Sequence, residues 1–234
     1  MINFSSLRGK VGNFLRIILR LFPYRGTLPI LQGPVKGKLW KRVFGNDGYW
    51  LGSYEMEVQK TFIKYVKEAS VVYDIGANAG FFILLASSLA KNGKVYGFEP
   101  DTRNLKMLKW VVNKNKISNV EIFDFAISDN NGELKFLQKE NSSLSKIDSN
   151  GSTIVKCRTI DSLVENKEIL PPNFIKIDTE GHTDNVLQGA KKTIIKTKPI
   201  MVVETSSFSF LKSLGYKCRK LDEGGNFLFY IKPL

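Results

Sequence analysis

At 234 residues with 43% hydrophobic content, the chain has enough apolar material for one well-buried domain and little left over for a second. Two cysteines, Cys157 and Cys218, with no CxxC pair and a single histidine exclude a disulfide framework and a zinc cluster, and they fit a reducing, cytoplasmic setting. No apolar run is long enough for a membrane span and no cleavable signal peptide is read, while the net charge of +13 favours anionic partners unless it is only a solvated lysine-rich surface.

Residues 1–46 carry nine Lys or Arg and no acid. Leu7, Val11, Phe14, Ile18 and Leu21 recur there at helical spacing, opposite Gly9, Asn13, Arg16 and Arg20. The pattern predicts a basic amphipathic helix ended by Phe22-Pro23. Such a helix either docks on its own domain or lies on an anionic membrane through residues 4–22, so a peripheral membrane contact stays open. The stretch Gly26 to Gly48, with Pro29, Gly33, Pro34, Gly37 and Gly45, reads as loop or short hairpin. Residues 1–48 are therefore read as an extension and 49–234 as the main domain. A helix then follows Ser53, its expected N-cap, with Val58, Phe62, Tyr65 and Val66 inward; its start could reach the mouth of a site on the next strand.

The β-branched strand beginning at Val71 runs through Asp74 into Gly76-Ala77-Asn78-Ala79-Gly80 and directly into the apolar run Phe81 to Ala90. Strand, glycine-rich turn and helix put backbone N–H groups and a carboxylate at the lip of a sheet. Gly76 suits positive φ and a ligand lying against the main chain, and Gly80 is expected to let the helix pack on its strand. A second strand, Lys94 to Phe98, ends in Glu99-Pro100, and Glu99 lies 19 residues after Gly80, near the spacing at which an acid meets a ribose diol. The two glycines are four apart, unlike a pyrophosphate turn, and an acid ahead of the turn favours a cationic ligand over a phosphate. S-adenosylmethionine combines a ribose with a positive charge, so Asp74, Gly76, Ala77, Asn78, Gly80, Glu99 and Pro100 are read as its site.

Asp101 caps a predicted helix to about Asn115, with Leu105, Leu108, Val111 and Val112 inward. Asn119 to Phe125 reads as the third strand, with the backbone near Phe125-Ala126 as adenine wall. After the turn Asp129 to Gly132 come strands at Glu133 to Leu137 and Thr153 to Cys157. The five-serine run Asn141 to Ser152 between them is expected to be a mobile loop, either plain surface or a lid. Ile160 to Glu165 is a short helix capped by Thr159 or Asp161.

The fourth core strand, Asn173 to Ile177, delivers Asp178, Glu180 and His182 to the same sheet edge, ahead of a helix from Thr183 to Ala190. Glu204 closes the fifth strand, Pro199 to Val203, beside Asp178. Chemistry at such a strand end calls for a proton acceptor: His182 suits by its ordinary pKa, and Asp178, Glu180 or Glu204 are the alternatives. Paired acids there could hold Mg²⁺ or Ca²⁺, but with no obvious third ligand a divalent metal is not favoured. A helix at Ser206 to Leu214 and a hairpin turning at Gly224-Gly225 close the chain.

Four blocks, Asp74 to Gly80, Gly97 to Pro100, Phe174 to Gly181 and Pro199 to Glu204, resemble the signature of the FkbM-type methyltransferases over roughly residues 50 to 230. The resemblance implies an α/β, Rossmann-like class I methyltransferase fold, a seven-stranded mostly parallel sheet with a C-terminal antiparallel hairpin, and dependence on S-adenosylmethionine. A Gly-x-Tyr-Glu segment of that family makes Tyr54 and Glu55 candidate substrate-binding residues. The third block departs from the family at Thr183, where a carboxylate is usual. The reading that follows is an O-methyltransferase acting on a hydroxyl of a sugar, glycan or related small metabolite. Its alternatives are a ribose 2′-O RNA methyltransferase, with nucleic acid the less favoured partner, and a non-catalytic membrane-surface protein with the same fold.

Overall fold

The computed structural model describes residues 26–205 and 207–231. The amphipathic helix expected within residues 4–22 lies outside them. The described chain opens with a small antiparallel hairpin, β1 (Thr27–Pro29) and β2 (Leu39–Lys41), which realises the short hairpin read between Gly26 and Gly48. Ile30, Val35 and Trp40 are fully buried in the same apolar cluster as the main helices.

Ser53 does not cap the next helix. A helix α1 (Asp47–Leu51) precedes it, and Gly52 ends that helix in the left-handed region (φ 72°), so the N–H groups of Ser53 and Tyr54 are spent on the Gly48 carbonyl. Helix α2 (Met56–Tyr65) then starts after Glu55, itself left-handed at φ 41°.

Strand β3 (Val71–Ile75), helix α3 (Phe81–Leu89), β4 (Lys94–Phe98), helix α4 (Thr102–Lys114) and β5 (Val120–Phe123) follow in right order for a doubly wound half. The predicted third strand, Asn119 to Phe125, is shorter than expected: it pairs with β4 and stops at Phe123, and the segment after it, β6 (Ala126–Ile127), pairs instead with a separate sheet. That sheet also holds β7 (Gly132–Leu137), β8 (Lys146–Ile147) and β9 (Thr153–Arg158) in the order β6-β9-β7-β8. The serine-rich run is thus not plain loop; it contains a 3₁₀ turn at Ser142–Leu144 and all of β8. Arg103 ties it down, donating to the Lys139 carbonyl (2.8 Å) and Ser145 Oγ (3.0 Å).

Helix α5 (Ile160–Glu165) is capped by Thr159, whose hydroxyl accepts from the Ser162 N–H. Next come β10 (Phe174–Ile177), α6 (Thr183–Gly189), α7 (Lys191–Thr197), β11 (Ile200–Glu204), α8 (Ser209–Ser213), β12 (Lys217–Lys220) and β13 (Asn226–Tyr230). Helix α7 is an addition to the sequence reading. Asp161 caps it from a distance, its carboxylate accepting from the N–H groups of Lys192 and Thr193.

The main sheet runs β12-β13-β11-β10-β3-β4-β5. Its five inner-to-edge strands from β11 to β5 are parallel and β13 is antiparallel to both neighbours, which matches the expected seven strands and closing hairpin. Parallel strands covered by helices on both faces must be apolar on both. Accordingly Val72, Val95, Phe174 and Val202 pack on one side with α2 to α4, while Tyr73, Ile75, Ile175, Ile177 and Val203 pack on the other with α5 to α8. The close approach of α3 to the sheet occurs at Gly97, where a Cβ would sit 2.8 Å from Ile83 Cδ1, rather than at Gly80, whose crowding is against Leu108 of α4.

Candidate active site

Period-2 alternation in β3 and β10 sets the ground plan. Asp74 pairs in register with Lys176 on one side and Gly97 on the other, so an acid and a base face each other on the α3 side of the sheet. Both are buried, at 1% and 2% exposure. Lys176 Nζ lies 2.9 Å from Asp178 Oδ2, 3.8 Å from Asp74 Oδ1 and 5.0 Å from the centre of the Phe82 ring. Burial alone would push the lysine down, but Asp178, Asp74 and Glu55 hold it above its ordinary value. Burial drives Asp74 up to about 7 despite the lysine. For Asp178 burial is overcome by Lys176, and its carboxyl stays below the usual range. A lone charge inside the otherwise apolar Phe-Ile-Lys-Ile strand was a legible signal that the sequence reading left unused.

At the carboxyl ends of β3, β4 and β10 lies a cavity of about 710 Å³ that includes open solvent at its mouth. It brings together Asn78, Glu99 and Pro100 with Asp178, Glu180 and His182, and it also takes in Gly76, Ala126 and Tyr54. Asp74, Ala77 and Gly80 do not line it: Asp74 sits one layer in, against Lys176. Gly76, at φ 79°, is pressed by protein, since a Cβ there would lie 1.8 Å from the Asp178 carbonyl oxygen.

Glu99 is held in place by main chain. Its Oε2 accepts from Asn78 N–H (2.7 Å) and its Oε1 from Asp101 N–H (2.8 Å). Burial raises its carboxyl to about 7, and those two donors oppose the shift. Asn104, absent from the sequence reading, is 3% exposed and lines the same cavity. Its Nδ2 donates to the Ser142 carbonyl (3.4 Å), whereas its Oδ1 is buried with no partner.

At the carboxyl end of β11, on the same sheet edge, Glu204 borders a neighbouring groove that shares Glu180 with the cavity. Hydrogen bonding with Asp178, then burial, raises Glu204 to about 8, so the pair shares one proton near neutrality. The carboxylate oxygens of Asp178, Glu180 and Glu204 lie within 4.8 Å of one another. Glu180 thereby supplies the third acid that the sequence reading lacked, and an all-oxygen set of this kind suits a hard cation. His182 is the half-buried N-cap of α6, with Nε2 2.9 Å from Ser128 Oγ. Burial holds it below its ordinary value, so the ring is neutral at pH 7. Tyr54 stacks on Tyr49 at 4.0 Å between ring centres and lines a second groove shared with Asn78, Ser142 and Ser143. Glu55 does not line the cavity; it is raised mainly by burial and interacts with Lys176 and Asp178.

Comparison with known proteins fits this geometry. The model of the methyltransferase FkbM domain matches residues 74–223. A hexuronic acid methyltransferase of Haloferax volcanii is 27% identical over 154 residues, covering 63% of this chain and 61% of that protein. A 2-O-methyltransferase of Sinorhizobium fredii is 24% identical over 152 residues, covering 56% and 62%. The alignments thus span about three fifths of the length of these curated relatives. Among solved structures, a methyltransferase FkbM from Methylobacillus flagellatus shares the fold with a TM-score of 0.52 at 17% identity, over 80% of this chain and 56% of that one. With the family model matching well over half of its length, the chain belongs to the methyltransferase FkbM domain family.

Proposed function

We propose that this chain transfers a methyl group from S-adenosylmethionine to a hydroxyl of a sugar or glycan. The observation that carries the reading is one cavity holding a ribose-type acid, Glu99, together with a neutral imidazole, His182. The residues fit the cofactor. Glu99 offers carboxylate oxygens to a hydroxyl pair, the unpartnered Asn104 Oδ1 offers an acceptor to the adenine amine, and Ala126 and Ile127 form an apolar wall. When bound, S-adenosylmethionine supplies an electrophilic methyl on a positively charged sulfur. Asp178, kept ionised by Lys176, favours positive charge in the cavity. His182 accepts the proton of the acceptor hydroxyl as its oxygen attacks, so the ring ends as imidazolium. Among the acids, Asp178 is a weak base and Glu204 already carries the shared proton, so neither competes well near pH 7.

The sugar assignment is supported by the names of the two curated relatives. Against a nucleic-acid acceptor stand Asp178, Glu180 and Glu204, which set a negative field where a polyanion would have to enter. Among the described residues no helix is long and apolar enough to cross a membrane. Incubation with isotopically labelled cofactor and a panel of neutral glycans, uronic-acid glycans and RNA tests the reading. Label is expected on carbohydrate oxygen; label on RNA alone, or on nothing despite bound cofactor, would sink it.

The Glu99 role has its own check. Its ionised form is the better acceptor, and its pKa near 7 means that this form builds up between pH 6 and 8. Cofactor affinity by calorimetry should therefore rise with pH over that window in the parent. In Glu99→Gln this rise should be absent, with binding at pH 8 about tenfold weaker, as expected for loss of a hydrogen bond to a charged group. An unchanged pH dependence in the variant would remove Glu99 from the nucleoside site.

A further inference from the structure

We propose that Ser128 and Asp129 are positioning residues that lock His182 as its Nε2–H tautomer, leaving Nδ1 as the proton-accepting nitrogen of the ring. The proposal rests on His182 being the base. Ser128 Oγ lies 3.0 Å from Asp129 Oδ1 and 2.9 Å from His182 Nε2, and a hydroxyl has a single proton to give. Asp129 can only accept. Its other oxygen takes a hydrogen bond from Asn185 Nδ2 at 2.9 Å, and that bond first of all keeps the carboxyl low and ionised. The Ser128 proton is therefore committed to Asp129, so toward His182 the Ser128 oxygen can only accept and Nε2 must donate.

The packing makes this a lock rather than a passing contact. Ser128 is fully buried. A Cβ on Gly189 would lie 1.9 Å from the Ser128 carbonyl oxygen, so α6 rests directly on this segment. His182 and Asn185, at the start of that helix, meet Ser128 and Asp129 from the same side.

The chain has one histidine, so a ¹⁵N-labelled full-length protein free of any histidine tag shows a single imidazole in a long-range ¹H–¹⁵N spectrum. Above its titration, the parent is expected to carry the proton on Nε2. In Asp129→Asn the amide oxygen is claimed by Asn185, which turns the amide N–H toward Ser128. The serine hydroxyl must then donate to Nε2, and the ring proton is expected to move to Nδ1. Turnover should fall about a hundredfold with cofactor affinity unchanged, as for loss of a general base. Ser128→Ala, which removes the bridge without reversing it, should give a mixed tautomer signal. A parent with its proton on Nδ1, or a folded Asp129→Asn with the proton still on Nε2, overturns the lock. Full turnover in Asp129→Asn overturns its positioning role. Failure of the base reading is seen separately, as full turnover in His182→Ala.

Discussion

Replacing Lys176 with methionine should destabilise the chain by about 3–5 kcal/mol, the range for removing one partner of a buried ion pair. In a chain of this length that is a drop of roughly 10 °C in Tm. The reason is the uncompensated charge left behind. Lys176 is the cation within 4 Å of both Asp74 and Asp178, and Asp74 has neither carboxylate oxygen hydrogen-bonded. Without the lysine both acids take up protons to stay buried, which raises their folded pKa above the unfolded value. Such groups withdraw stability as pH rises, so the deficit of Lys176→Met should be larger at pH 8 than at pH 5. Asp74→Asn added to Lys176→Met should restore part of the loss by removing one stranded charge. Thermal scans of the parent, single and double variants read all three effects. Equal melting of parent and Lys176→Met at both pH values would mean that the lysine does not hold the acids.

Removing the imidazole should act on turnover and leave the cofactor alone. His182→Ala is expected to lower kcat by about 10²–10⁴-fold, the usual contribution of a positioned general base. Cofactor affinity by calorimetry should match the parent, because Glu99, Asn78 and Asn104 are untouched. The split matters because His182 shares its cavity with three acids, Glu99, Asp178 and Glu180, and neighbours a fourth, Glu204. If kcat survives, the proton goes instead to Asp178, Glu180 or Glu204, and Glu180, which lines the cavity and is raised first of all by burial, becomes the first to test. If cofactor affinity falls in step with kcat, His182 is part of the binding wall.

Much of the site was legible one block at a time. Strand-to-turn junctions are local events, so the sequence around Asp74 to Gly80, Glu99-Pro100 and Asp178 to His182 was enough to place them at strand ends. Which side chains then reach a common space is not local. Asp74 lies one residue short of the end of β3 and Asp178 one residue past the end of neighbouring β10, so register buries the first beside Lys176 and leaves the second at the cavity. Asn104 sits in the first turn of α4 and gives no sign in sequence; only its packing under Ser142 leaves its oxygen unpartnered at the cavity wall.

By itself, the sequence determined the alternation of buried strands with amphipathic helices, the parallel sheet that such alternation requires, and the chemistry waiting at each strand end. Hydrophobic period and turn chemistry are short-range properties, and they survive reading without coordinates. Tertiary structure alone decided that the third strand stops at Phe123 and the chain goes on into a second sheet, and that the serine-rich run gives that sheet a strand, β8. It also decided that Ser128 and His182, 54 residues apart, meet at 2.9 Å. Those outcomes depend on pairings between distant segments, whose free energy comes from burial and hydrogen bonds that exist only once the whole sheet is assembled.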